Sequence, residues 1–132
     1  MNGISIKGIV IAVLAVIAGD IIGGIAVGVV LSIATWPSTI DPLGTEVLFL
    51  GAIVGTITTI IGGYIAASIA KTCYYKNAAI LGGVGAILGI LMAGGYPLWF
   101  NVICFLSVFP AALLGGHLAK SSGKNMTSPS FN

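Results

Sequence analysis

Asp20 is the residue whose type and position most clearly call for chemistry. It stands in the apolar segment Ile17-Ala18-Gly19-Asp20-Ile21-Ile22-Gly23-Gly24. A carboxyl group in hydrocarbon costs about 2.5–3.5 kcal/mol on insertion scales, so it needs a partner or the neutral state. Gly23, Gly24 and Gly28 follow three, four and eight residues later and share its helical face. A glycine face packs against another helix, so Asp20 is expected to point into protein. Counting at 1.5 Å per residue puts Asp20 about 18 Å in from Gly8, Thr59 about 18 Å from Val47 and Pro110 about 18 Å from Leu98. Thr56 and Thr58 flank Thr59. Pro110 has no N–H to give the carbonyl four residues earlier, which leaves Leu106 a free acceptor. An acid, a threonine cluster and an open carbonyl would share one layer. Asp20 donating to Thr59 or to the Leu106 carbonyl is one reading, purely structural. A carboxylate that handles protons or cations is the other.

The remaining polar residues point to less. His117 and Tyr64 occupy matching places near the ends of two apolar runs, where each is an interfacial anchor or a proton relay. Asn101, Cys104 and Ser107 form a stripe at spacings of three, either a polar seam or a set of helix–helix hydrogen bonds. Cys73 and Cys104 lie in different layers and form no C-x-x-C motif, so neither a disulfide within the chain nor a redox site is expected. One histidine and two separated cysteines do not make a metal site. No nucleophile has a base and an orienting group beside it, so the chain does not read as an enzyme, and no cofactor is expected.

These groups must be positioned by membrane-spanning elements. Of 132 residues, 58% are hydrophobic and 6% charged, whereas a soluble domain carries about 25% charged residues. Four apolar runs, about 4–33, 47–70, 78–94 and 98–119, are each long enough to cross about 30 Å of hydrocarbon. Without the alternation of a barrel strand they read as helices. The expected fold is an all-α integral membrane protein: a single four-helix domain over 1–120 and a polar cytoplasmic tail over 121–132. The first run is about twice the apolar length of a signal peptide and is expected to remain as an anchor. It is longer than a bilayer needs, so it tilts, projects or breaks near Gly23-Gly24. Asp41 or Thr45 would cap the second helix and Asn77 the third, with Pro97 opening the fourth.

The five lysines, Lys7, Lys71, Lys76, Lys120 and Lys124, all fall on one side of this arrangement. The positive-inside rule then gives a cell inner membrane protein with both termini cytoplasmic. Asp41 and Glu46 fall outside, beside Trp36. A net charge of +2 with no arginine and no basic stripe excludes nucleic-acid binding. Two hairpins are weakly alike: Pro42-Leu43 corresponds to Pro97-Leu98, and Gly62-Gly63-Tyr64-Ile65-Ala66 to Gly115-Gly116-His117-Leu118-Ala119. The match suggests a parallel repeat and competes with chance in so biased a composition.

Twenty glycines are about twice the usual share. Gly19/Gly23, Gly24/Gly28, Gly51/Gly55 and Gly85/Gly89 are spaced by four, the pattern that lets helix backbones approach in lipid. Besides the lipid bilayer, the expected partner is a second copy or a larger membrane complex. Helix association, as an accessory subunit or homo-oligomer, is thus the first functional expectation. A proton- or cation-coupled transporter or channel using Asp20 is the alternative.

Overall fold

A computed structural model describes residues 4–35, 41, 43–71 and 73–125. Four helices follow one another: α1 (Ile6–Ala34), α2 (Thr45–Ala70), α3 (Tyr74–Met92) and α4 (Leu98–Asn125), with a short 3-10 turn at Ala93–Gly95. Each is long and apolar enough to cross a membrane. No strand occurs among the described residues. The protein is therefore an all-α, multi-pass membrane protein. Trp36, Pro42 and residues 126–132 lie outside the described residues.

Local chemistry sets the helix ends, in places differently from expectation. Ser5 caps α1, its Oγ accepting from Gly8 N at 3.1 Å. α1 then runs unbroken through Gly23-Gly24. Neither Asp41 nor Thr45 caps α2; Gly44 holds that position. Asp41 is occupied with the turn before it, its Oδ1 accepting from Leu43 N at 3.0 Å and its carbonyl from Gly44 N at 2.9 Å. Two left-handed residues, Lys71 (φ 55°) and Cys73 (φ 50°), reverse the chain after α2. α3 consequently starts at Tyr74, four residues earlier than the apolar run suggested, with Cys73 as its cap. Pro97 precedes the first residue of α4, and its carbonyl accepts from Phe100 N and Asn101 N. The far end of α4 continues past Lys120 into the supposed tail, because Gly123 passes beside Tyr74: a β-carbon there would stand 3.1 Å from the tyrosine hydroxyl.

Asn77 is not the cap of α3. It lies in the first turn, fully buried, and ties two helix starts together. Ser5 N donates to its Oδ1 at 2.8 Å, while its Nδ2 donates to the Cys73 carbonyl at 3.1 Å. An amide that satisfies one of the orphan N–H groups of α1 fixes α1 against α3 at that end.

α2 is the central element and touches the other three helices. α1 lies along it and grazes α3; α4 lies against both α2 and α3, on the far side of α2 from α1. Lys7, Lys71, Lys76 and Lys120 mark one end of the bundle, the cationic end; Asp41 and Glu46 mark the acidic end. The core is thin. Its buried apolar residues are Ala12, Ala66, Ala67, Ala78, Ala86, Ala111, Ala112 and Ala119, with Leu48 and Leu81. Such small side chains bury little surface but let backbones meet. The closest approach joins the parallel helices α2 and α4. A β-carbon on Gly115 would be driven into the Ile60 carbonyl and to 2.6 Å from Tyr64 N, and one on Gly63 to 3.0 Å from Ala112 Cα.

The two hairpins repeat one arrangement. Gly62 of α2 sits over the Ala12 carbonyl and the Val16 side chain of α1. Gly116 of α4 sits over the Tyr74 carbonyl and the Ala78 side chain of α3, again four residues apart. The structural correspondence is thus Gly62 with Gly116, one residue off the alignment of the two Gly-Gly motifs.

Gly115→Ala is expected to cost about 2 kcal/mol or more, because backbone and not a flexible side chain would have to move. Gly24→Ala, with open space around it, should stay within about 0.5 kcal/mol. Unfolding in mixed dodecylmaltoside–SDS micelles measures both, and equal midpoints would contradict the α2–α4 contact. In the same assay Asn77→Ala should lose about 1–3 kcal/mol by stranding Ser5 N.

Candidate functional site: the Asp20–Thr58 pair and the cationic end

Gly19 and Gly23 decide how α1 meets α2. A β-carbon on Gly19 would lie 2.9 Å from Thr58 Cγ2, and one on Gly23 would run into Val54. The missing side chains bring Thr58 close enough to donate its hydroxyl to Asp20 Oδ1. The same Thr58 Oγ1 is 3.0 Å from the Gly55 carbonyl. One hydrogen between two acceptors serves one of them fully. Both ends are satisfied when the carboxyl holds a proton and donates to Oγ1 while Thr58 donates to Gly55. Among the described residues, this carboxyl–hydroxyl–carbonyl chain joins two helices through polar side chains midway along α1.

The partner of Asp20 is therefore Thr58 and not Thr59. Thr59 and Thr56 turn back on their own helix and donate to the Gly55 and Ala52 carbonyls at 2.7 and 2.8 Å. Pro110 lies inside α4 at nearly the depth of Thr59. It does not join Asp20, nor does the Leu106 carbonyl, because α2 stands between α1 and α4. Asp20 also differs from expectation in its surroundings: within one chain it is exposed despite the bond to Thr58. Of the glycines spaced by four, Gly19, Gly23 and Gly85 pack against neighbours, whereas a β-carbon on Gly24, Gly28, Gly51, Gly55 or Gly89 would meet nothing within 4 Å. The reason is helix face: Gly24 adjoins Gly23 yet looks away from α2, and spacing by four does not say which face meets a neighbour. Between α3 and α4 lies an apolar pocket of about 340 Å³, lined by Gly85, Gly89, Ile90, Asn101, Cys104 and Phe105 among others.

The stripe along α4 is spent locally. Asn101 Nδ2 donates to the Ala93 and Tyr96 carbonyls, each at 3.2 Å, and Ser107 Oγ to Cys104 at 3.0 Å. His117 and Tyr64 are separate. Tyr64 is exposed on α2, with its backbone nitrogen against Gly115. His117 instead meets Tyr75 of α3, Nδ1 to Oη at 2.8 Å, and Lys120 Nζ lies 5.1 Å from the centre of the same ring. This trio was not read from sequence as a unit. The signal was there, since His117 and Lys120 are three apart on one face, but nothing in the sequence aligned α4 with Tyr75.

Among the described residues no three His, Cys, Asp or Glu side chains gather as a metal site. Cys73 and Cys104 are both free thiols. No protein-family model, curated protein or solved structure matches the chain.

Thr58→Val should cost about 1–2 kcal/mol by leaving Asp20 without its donor. Thr59→Val should cost less than about 0.5 kcal/mol, since only a bond within α2 is lost. The two are compared by unfolding in mixed micelles, and a larger loss for Thr59→Val would reverse the assignment.

Proposed function

We propose that this chain acts through helix association within the membrane, as a homo-oligomer or an accessory subunit, without catalysing a reaction. The observation that carries this reading is the state of Asp20 in a single chain: at membrane depth, held by one threonine, and exposed. A carboxyl group on a lipid-facing surface is unfavourable, and burial against another helix removes that cost. The neighbouring surface suits such burial. Gly24 and Gly28 extend from Asp20 along α1 with open space above them, and Gly51 and Gly55 do the same on α2. The lysine distribution supports a cell inner membrane location with the cationic end, and both termini, in the cytoplasm.

Proton- or cation-coupled transport is the second reading. The chain from Asp20 through the Thr58 hydroxyl to the Gly55 carbonyl favours it, because such a chain can exchange a proton without a large rearrangement.

Native mass spectrometry of protein extracted in mild detergent, paired with cross-linking in intact membranes, tests the first reading. Wild type and Asp20→Asn should both appear as complexes, since an amide can still hydrogen-bond. Asp20→Leu should fall apart to single chains with its helix content unchanged. Single chains for wild type in both measurements would overturn the association reading. Proton flux in liposomes that is lost in Asp20→Asn would move the weight to transport.

A further inference from the structure

The chain is electrostatically lopsided. Its three acids are Asp20 in mid-membrane and Asp41 and Glu46 at the acidic end. Lys7, Lys71, Lys76 and Lys120 gather at the opposite end, where the chain has no carboxylate side chain to pair with them. Among the described residues nothing at that end supplies their counter-charge. At the boundary of a bilayer, the anions on offer at that height are headgroup phosphates.

One of these lysines is built into a cluster. Lys120 is held 5.1 Å from the centre of the Tyr75 ring, a contact that engages the ammonium through its charge and leaves its N–H groups to donate elsewhere. Tyr75 is fixed in turn by His117 at 2.8 Å. When the phenol donates to Nδ1, the imidazole carries its proton on Nε2, and His117 is exposed, so that proton can be offered outward. An ammonium, an imidazole N–H and a tyrosine from two different helices thus converge on one spot. His117 stands nineteen residues beyond Leu98, about 28 Å along α4, which is the thickness of the hydrocarbon layer.

The surface leading away from the cluster is apolar. Leu113 and Leu114, one turn deeper on α4, and Leu106, two turns beyond them, are exposed on the same side of the helix as His117. A free phosphate ion would use the charges alone. A phospholipid uses the charges for its headgroup and the leucine stripe for its acyl chains. We propose that Lys120, His117 and Tyr75 form a binding site for the phosphate of an anionic phospholipid at the cationic end of α3 and α4. The proposal stands apart from the association reading and holds for one chain as for several.

Phosphatidylglycerol and phosphatidylcholine of the same acyl chains, titrated into detergent-solubilised protein and counted by native mass spectrometry, provide the test. Wild type should retain phosphatidylglycerol at lower concentration than phosphatidylcholine. Lys120→Gln should weaken that retention about fivefold, the effect of one lysine at a charged lipid surface. Lys7→Gln removes the same charge from the same end outside the cluster and should change it less than twofold. His117→Gln repeats the test should Lys120→Gln disturb the fold, and circular dichroism reports that. Equal losses for Lys7→Gln and Lys120→Gln would mean a diffuse attraction and overturn the site, as would equal retention of the two lipids. Displacement of the lipid by millimolar inorganic phosphate would assign the cluster to the free ion and overturn the lipid.

Discussion

Everything else in this bundle depends on how closely α2 can approach its neighbours. In lipid, burying a methyl group gains little, because the tails outside are as apolar as the helix interior. Attraction between helices comes mainly from dispersion, which falls steeply with distance, and from hydrogen bonds. Gly62, Gly63, Gly115 and Gly116 remove side chains where α2 and α4 cross each other and cross their hairpin partners. Alanine fills most of the remaining core. The same approach sets the polar contacts: without Gly19, Thr58 would not reach Asp20.

Two hydrogen-bonded pairs then fix what dispersion leaves free. Small apolar residues pack almost equally well in several registers, since neighbouring turns of such helices look alike. Asn77 breaks that degeneracy at the cationic end, because its amide matches one backbone N–H, that of Ser5, and one carbonyl, that of Cys73. Asp20 with Thr58 does so farther along α1. Polar pairs that are modest in energy can still be decisive in selecting among near-equal alternatives.

The sequence made the number and type of elements legible because a run of twenty apolar residues has only one common structural solution in a bilayer. It also singled out Asp20, since one acid among isoleucines is conspicuous. It did not resolve which threonine would answer it. Thr56, Thr58 and Thr59 lie within one turn, and the choice among them depends on the rotation of α2, which glycines on another helix determine. Asn77 and Tyr75 were hidden for a similar reason. Each sits at the start of α3, where an exposed polar side chain is ordinary, and their burial or partnership follows from helices more than forty residues away in sequence. Spacing by four identified glycines able to pack, but not which would find a neighbour within one chain.

The space between α3 and α4 gives the protein a cleft as well as surfaces. Backbones meet where Gly62, Gly63, Gly115 and Gly116 stand, whereas Gly85 and Gly89 help to line a cleft of about 340 Å³ between α3 and α4. Its walls are apolar apart from Asn101, so in a bilayer the cleft offers dispersion contacts and few hydrogen bonds to whatever fills it.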